Sequence, residues 1–158
     1  MQRGSSDPVR YRLYTPADFE ALYALEERCF QPPLRFPRNY MRQLVTSARA
    51  AAWLAEDDSG LAGFAVVEWF NSSEGSRAYI ATIEVSAEQR RRGIGTELLR
   101  RIEGSARKAG AQTIWLHVDA ENGAAIRLYQ AHGYEHKGRE EHFYGDDRPA
   151  LIFVKRLA

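Results

Sequence analysis

The first stretch whose residue types and spacing suggest chemistry is Glu88-Gln89-Arg90-Arg91-Arg92-Gly93-Ile94-Gly95-Thr96. Gly93 and Gly95 let the backbone fold so that successive amides point the same way. The helix that follows adds its positive end, and Arg90, Arg91 and Arg92 add charge. Such a turn suits a pyrophosphate; the plainer alternative is a solvated turn leading into a charged helix face. A Rossmann dinucleotide site fits poorly, because the third glycine and the acidic residue about 20 positions later on a following strand are missing.

Titratable residues elsewhere admit a second kind of chemistry, proton transfer. In Thr113 to Asp119, alternation places Trp115, His117 and Asp119 on one face and Ile114, Leu116 and Val118 on the other. A histidine in that setting is either hydrogen-bonded packing or a base. Tyr129 lies in an alanine-rich helical stretch, where spacing alone reads as core. Cys29 falls in the first helix and reads as a small buried apolar residue, away from the other candidates. His132 and His136 have a metal-like spacing, but Gly133 interrupts the helix between them and no third ligand follows, so no metal is expected.

The chain has 158 residues, 44% of them apolar and 27% charged, which matches an ordinary globular protein of one domain. Residues 1–8 are small and polar and read as a flexible tail, leaving 9–158 as the domain. The start has no apolar signal-peptide core, and the longest apolar run, Leu61 to Val67, is far short of the ~20 residues of a membrane span. A cytoplasmic protein without a membrane partner is expected, and a single cysteine suits a reducing compartment. Lys plus Arg number 22 against 21 Asp plus Glu, so no extended polyanion such as nucleic acid is expected as partner. The balance is uneven along the chain: Ala87 to Lys108 holds seven cations and three anions, a net of +4.

Several elements must position these residues. Val9 to Tyr14 alternates as a strand, and Thr15-Pro16 reads as an N-cap with proline at the first helical position. A helix bearing Phe19, Leu22, Leu25 and Phe30 follows and stops before Gln31-Pro32-Pro33. A shorter helix spans Arg38 to Ala48. Strands are expected at Ala51 to Ala55 and Leu61 to Phe70, joined by the acidic turn 56–60. A turn-rich loop over Asn71 to Ser76 then leads to a strand from Arg77 to Val85. Gly95 to Ala109 is amphipathic, with Leu98, Leu99, Ile102, Ala106 and Ala109 inward and Glu97, Arg100, Arg101, Glu103, Arg107 and Lys108 outward, and Gly110 ends it. The strand Thr113 to Asp119, a helix from Asn122 to His132, and strands from Tyr134 to Phe143 and Pro149 to Leu157 complete the order β-α-α-β-β-β-α-β-α-β-β. That order predicts an α/β (mixed-sheet α+β) fold of six to seven strands flanked by about four helices.

Two of these segments together resemble the GCN5-related N-acetyltransferase (GNAT) family. Arg90-Arg91-Arg92-Gly93-Ile94-Gly95 fits its acetyl-CoA signature, Gln or Arg, two residues, Gly, one residue, Gly or Ala. A second signature falls where the family places it, in Asn122-Gly-Ala-Ala125-Ile-Arg-Leu128-Tyr129-Gln-Ala-His-Gly133-Tyr134. The resemblance implies acetyl-CoA as cosubstrate and direct transfer to a primary amine. It implies that the backbone of Ile83 and Val85 pairs with the pantetheine amides and that the amides of Arg91 to Thr96 hold the pyrophosphate. Asn122, Ala125 and Tyr129 would line the thiol end, where two parallel strands splay apart.

Such a reaction needs a neutral amine, a stabilised oxyanion and a proton for the departing thiolate. The Leu128-Tyr129 motif makes Tyr129 the candidate proton donor. Tyr79-Ile-Ala-Thr-Ile83 with Trp115-Leu116-His117-Val118 is similar to the E-type N-terminal protein acetyltransferases, in which a tyrosine and a histidine at these positions hold a water that takes the amine proton. Bacterial ribosomal-protein alanine acetyltransferases, nearly as similar, carry glutamate where His117 stands. Glu84 is the fallback base, expected on the face opposite Tyr79 unless a bulge intervenes. An α-amine of pKa about 7.7–8 is roughly one-fifth neutral near pH 7.4, whereas reaching neutral lysine costs about 3 kcal/mol more.

Relatives build the acceptor groove from the loop between the first two helices and the hairpin joining the last two strands. Here those contribute Phe30, Pro33, Leu34 and Phe36, and Phe143 and Tyr144. These side chains suit a protein or peptide N-terminus with an apolar first residue, though Glu140, Glu141, Asp146 and Asp147 would also accommodate a cationic small amine. A small-amine or antibiotic acetyltransferase and a non-enzymatic acyl-CoA sensor are the alternatives. Monomer and homodimer both remain compatible with the sequence.

Overall fold

The structure, a computed structural model, describes residues 8–157; most of the expected N-terminal tail, 1–7, lies outside them. Seven strands form one sheet: β1 (Arg10–Leu13), β2 (Ala50–Asp57), β3 (Gly60–Ser72), β4 (Gly75–Val85), β5 (Thr113–Asp119), β6 (Glu135–Glu140) and β7 (Ala150–Arg156). Four helices flank it: α1 (Phe19–Cys29), α2 (Arg38–Thr46), α3 (Ile94–Lys108) and α4 (Gly123–Ala131). The strand order is β1-β2-β3-β4-β5-β7-β6, and only β4 and β5 run parallel. The expected element order and mixed sheet are present. No helix among the described residues is long and apolar enough to cross a membrane.

Alternation along the strands divides the core in two. Ala65, Val67, Ala78, Ile80, Ile114, Leu116 and Val118 face the side covered by α3 and by Tyr129 of α4. Ala52, Leu54, Phe64 and Val66 face the side covered by Phe19, Leu22 and Leu25 of α1 and Met41 and Leu44 of α2. Thr15 opens a short 3-10 turn at Pro16–Asp18, where the Asp18 carboxylate accepts the Thr15 N–H at 2.7 Å, and α1 continues from it. The extended φ/ψ of Phe30 ends α1, so Phe30 lies beyond the helix it was expected to close.

Three expectations need correction. The loop over Asn71 to Ser76 is a tight turn, because β3 and β4 remain paired out to Ser72 and Gly75. The acidic turn likewise shortens to Asp58-Ser59 between β2 and β3. Glu103, expected outward, is only 6% exposed. It accepts from the Tyr134 hydroxyl at 2.7 Å and from Lys155 Nζ at 3.1 Å, which satisfies a charge the amphipathic pattern could not place inside.

Two β-bulges reset the alternation. In β4, Val66 pairs with Thr82 while Val67 pairs with Ile80, so Ala81 is the extra residue. In β6, Phe153 pairs with His136 and Ile152 with Gly138, leaving Lys137 extra. Each bulge moves every later side chain of its strand to the other face.

Gly63 fixes the β3–β4 approach: a Cβ there would lie 2.6 Å from the Glu84 carbonyl oxygen. Gly63→Ala should therefore lower stability by roughly 1–3 kcal/mol through overpacking. Urea denaturation reads this as a lower midpoint at constant slope; an unchanged midpoint would contradict this strand spacing.

Candidate active site

β4 and β5 pair only from Arg77 to Ile80 against Thr113 to Leu116. Beyond that the parallel strands part, leaving the edges of Ala81 to Val85 and His117 to Asp119 facing an opening. Two cavities converge there. One, of about 590 Å³, runs beside Ile83, Val85, Arg90, Arg91 and Gly93 to Thr96. The other, of about 200 Å³, is lined by Phe30, Leu34, Phe36, Tyr79, His117, Phe143 and Tyr144. Both have Phe30, Ile83, Asn122, Ala125 and Tyr129 in their walls, so Tyr129 stands where they meet.

The larger cavity has the features of an anion cradle. Gly93 adopts φ +76 with open space where a Cβ would stand, and Arg91 is also left-handed at φ 69. The first bond of α3 runs from Glu97 N–H to Gly93 O at 3.1 Å, so the amides of Ile94, Gly95 and Thr96 precede the helical ladder. The three arginines differ in their roles. The Arg92 guanidinium turns away to Asp57 at 3.0 Å and to Gln89, tying the turn to the end of β2. The Ser59 hydroxyl and then this buried pairing hold the Asp57 carboxyl below its usual range. Asn122 caps α4, its Oδ1 accepting the Ala125 N–H at 3.1 Å. The glycine turn, free amides and open strand edge fit a nucleotide pyrophosphate followed by an extended amide chain.

Cys29 departs from its sequence reading. It lines this cavity, with Sγ 3.9 Å from the Val85 carbonyl oxygen, because α1 ends against the splayed half of β4. Burial, with Glu84 nearby, pushes its thiol up to about 11, so it stays protonated and a poor nucleophile.

In the smaller cavity the Tyr79 hydroxyl lies 2.8 Å from His117 Nδ1, and His117 Nε2 lies 3.0 Å from Glu140 Oε1. Phe143 stacks on the imidazole at 3.9 Å with rings 12° apart, and Trp115 and Tyr79 flank it at 5.2 and 5.7 Å. Burial raises the Tyr79 hydroxyl well above its ordinary range. It does the same to Tyr129, whose hydroxyl makes no hydrogen bond among the described residues. Tyr144 is pushed up to about 12 by burial and then by Asp119, which is held by Arg148 at 2.8 Å.

The bulge at Ala81 brings Glu84 onto the face of Tyr79, the exception the sequence allowed for. Its carboxyl is 3% exposed, accepts from Thr82 Oγ1 at 2.8 Å and abuts Glu26 of α1; burial and that second carboxyl raise it well above the usual range. Glu26 in turn accepts the Phe36 N–H at 2.8 Å, and the Tyr23 hydroxyl donates to the Phe36 carbonyl at 2.8 Å. These bonds pin the α1–α2 loop. Pro33 does not line the cavity but meets the β6–β7 loop, 3.6 Å from where a Gly145 Cβ would stand. His132 Nδ1 is 2.9 Å from the Leu128 carbonyl, while His136 lies beside Phe153. Sequence reasoning missed two participants, Glu26 and the Glu140 contact to His117. Neither carries a motif, and the second depends on a bulge.

Comparison with known proteins identifies the family of the chain. A streptothricin acetyltransferase of Streptomyces lavendulae is 38% identical over 87 residues, which are 55% of this chain and 45% of that protein. This chain therefore spans less than half the length of that relative. An N-alpha-acetyltransferase of Sulfurisphaera tokodaii is 26% identical over 134 residues, 79% of this chain and 80% of its own. Arabidopsis thaliana NAA60, solved with a bisubstrate analogue and separately with acetyl-CoA, superposes with a TM-score of 0.82 at 25% identity, covering 94% of this chain and 98% of that one. With the family's sequence profile matched over residues 19–134, well over half its length, the chain belongs to the acetyltransferase (GNAT) family.

Proposed function

We propose that this protein is an acetyl-CoA-dependent N-acetyltransferase acting by direct attack, most naturally on the α-amino group of a protein or peptide, with residues 9–158 as its catalytic domain. The observation that carries this reading is the meeting of two cavities at Tyr129, one an anion cradle and the other an aromatic pocket holding Tyr79 and His117. Bound acetyl-CoA would supply the activated acetyl carbon and a thiolate leaving group.

The chain's own residues divide the remaining work. The amides of Arg91 to Thr96 bind the pyrophosphate, with Arg90 and Arg91 lending charge and Arg92 holding the turn through Asp57. The free backbone edges of Ile83 and Val85, with Asn122 and Ala125, orient the chain leading to the reactive end. Tyr79 and His117 take the amine proton. Tyr129, kept protonated by burial, holds the proton for the departing sulfur. Glu84 is the weaker base, because burial beside Glu26 keeps a proton on that carboxyl pair. Phe30, Leu34, Phe36, Phe143 and Tyr144 exclude water and receive an apolar first side chain, and Pro33 braces the loop that carries them.

A small cationic amine is the second reading, favoured by the Glu140 carboxylate beside His117 and by the streptothricin acetyltransferase relative. Thiol release from acetyl-CoA against a panel of peptides and small amines separates the two. Turnover on peptides with apolar first residues supports the first reading, and turnover confined to small amines supports the second. Binding of acetyl-CoA without turnover on any acceptor would instead mark an acyl-CoA sensor.

His117→Ala and Tyr79→Phe should each lower kcat, within the range of roughly 10²–10⁴-fold for lost acid–base catalysis, while acetyl-CoA affinity measured by calorimetry stays nearly unchanged. Normal turnover in both would remove them from the mechanism. Gly93→Glu should have the opposite signature, loss of acetyl-CoA binding in a folded protein, since it puts a carboxylate and a strained left-handed residue at the cradle. Unchanged affinity would refute the pyrophosphate assignment.

A further inference from the structure

Glu140 ends β6 and is separated from β5 by β7. Through the register, Asp119 pairs with Ala150 and Ala150 with Glu140, while His117 pairs with Ile152 and Ile152 with Gly138. Paired residues share a face, so Glu140, Gly138, Asp119 and His117 all look toward the acceptor pocket. This holds only because Lys137 is bulged; in an unbroken β6, Arg139 would oppose Ala150 and put a cation there.

We propose that Glu140 is a positioning residue that completes a carboxylate–imidazole–phenol relay with His117 and Tyr79. A carboxylate can only accept, so the contact of 3.0 Å requires the hydrogen on His117 Nε2. The Nδ1 lone pair is then left to accept from the Tyr79 hydroxyl, 2.8 Å away. The other tautomer would set the Nε2 lone pair against the carboxylate oxygen. Phe143, stacked on one side, and Trp115 and Tyr79, set at steep angles to the ring, hold the imidazole in this orientation.

The consequence is a direction of proton flow, resting on the acetyltransferase reading above. Having given its hydrogen to His117, the Tyr79 oxygen offers only lone pairs to the acceptor. As the nitrogen–carbon bond forms and the carbon–sulfur bond breaks, the nitrogen's proton passes to the Tyr79 oxygen. The Tyr79 proton passes to His117 Nδ1, and the sulfur takes its proton from Tyr129. The imidazolium so formed lies against the Glu140 carboxylate. The other titratable groups facing His117 are Asp119, already paired with Arg148, and Tyr144, whose hydroxyl points to the His117 carbonyl; Glu68 and Tyr40 lie beyond Tyr79. None of these supplies an acceptor to Nε2.

Glu140→Ala and Glu140→Gln distinguish this relay from a surface contact; the side chain is 51% exposed, so both variants should fold. Nitrogen-15 NMR of histidine-labelled protein at pH 8 should find His117 in the Nε2–H form. Glu140→Ala should shift it to a mixture of tautomers, and Glu140→Gln, whose amide oxygen still accepts, should retain it. With a turned-over amine, Glu140→Ala should lower kcat by about 10-fold or more without raising KM for acetyl-CoA. An Nδ1–H form in the parent protein, or an unchanged tautomer in Glu140→Ala, overturns the relay. The expected tautomers without turnover of any amine would uphold the relay's geometry and defeat the acetyltransferase reading instead.

Discussion

Every property of the site depends on β4 and β5 ceasing to pair after Ile80 and Leu116. Parallel strands that stay paired leave no room between them, and a buried strand edge must find partners for its amides and carbonyls. Here the separation is forced from both sides. Ala81 bulges out of register with β3, which turns the second half of β4, and α1 drives Cys29 and the Glu26 carboxyl against that half. The opening thus has a rigid rim, and Tyr129 can reach from the α3–α4 layer into a pocket on the opposite face. Gly63 makes the same demand from β3, since the displaced Glu84 carbonyl occupies the space a side chain would need.

Charge follows the same economy of placement. Overall near-neutrality is compatible with the proposed pyrophosphate cradle, because the attraction would come chiefly from oriented amides at the start of α3. The arginines contribute unequally. Arg92 is spent on Asp57, a pairing at 3.0 Å with side-chain exposures of 15% and 2%, and such a pair fixes geometry more than it adds stability. The strained φ of Arg91 is tolerated next to this anchor. What the turn presents to a ligand is therefore backbone in a fixed shape, edged by the charges of Arg90 and Arg91.

Much of this was legible in the residues themselves. The helical periodicity of Leu98, Leu99, Ile102 and Ala106, the capping residue Thr15, and the terminating Gly110 and Gly133 are local signals, and the elements they predict are present. The glycine turn and the Tyr129 helix are likewise local; the turn lines the larger cavity and Tyr129 lines both, although spacing alone reads Tyr129 as core and only the family resemblance makes it a candidate. What sequence could not supply was parity. Alternation assigns Glu84 and Glu140 to faces only if the strand is unbroken, and a one-residue bulge in β4 or β6 reverses the assignment without a glycine or proline at Ala81 or Lys137 to announce it. Glu103 was misplaced for a related reason, since its partners Tyr134 and Lys155 come from distant elements.

The two buried tyrosines are the clearest case of environment deciding role. Burial lifts both hydroxyls, so neither ionises at neutral pH and composition cannot tell them apart. Their partners can. Tyr79 faces an imidazole nitrogen at 2.8 Å; in the proposed relay that nitrogen accepts its hydrogen, which would leave an electron-rich oxygen suited to receiving a proton from an incoming amine. Tyr129 has no hydrogen-bond partner among the described residues, and its hydroxyl borders the junction of the cavities; a hydroxyl so desolvated keeps its hydrogen until an anion appears beside it. In the proposed reaction one fold thereby holds an acceptor and a donor of protons at one opening, using the same side chain twice.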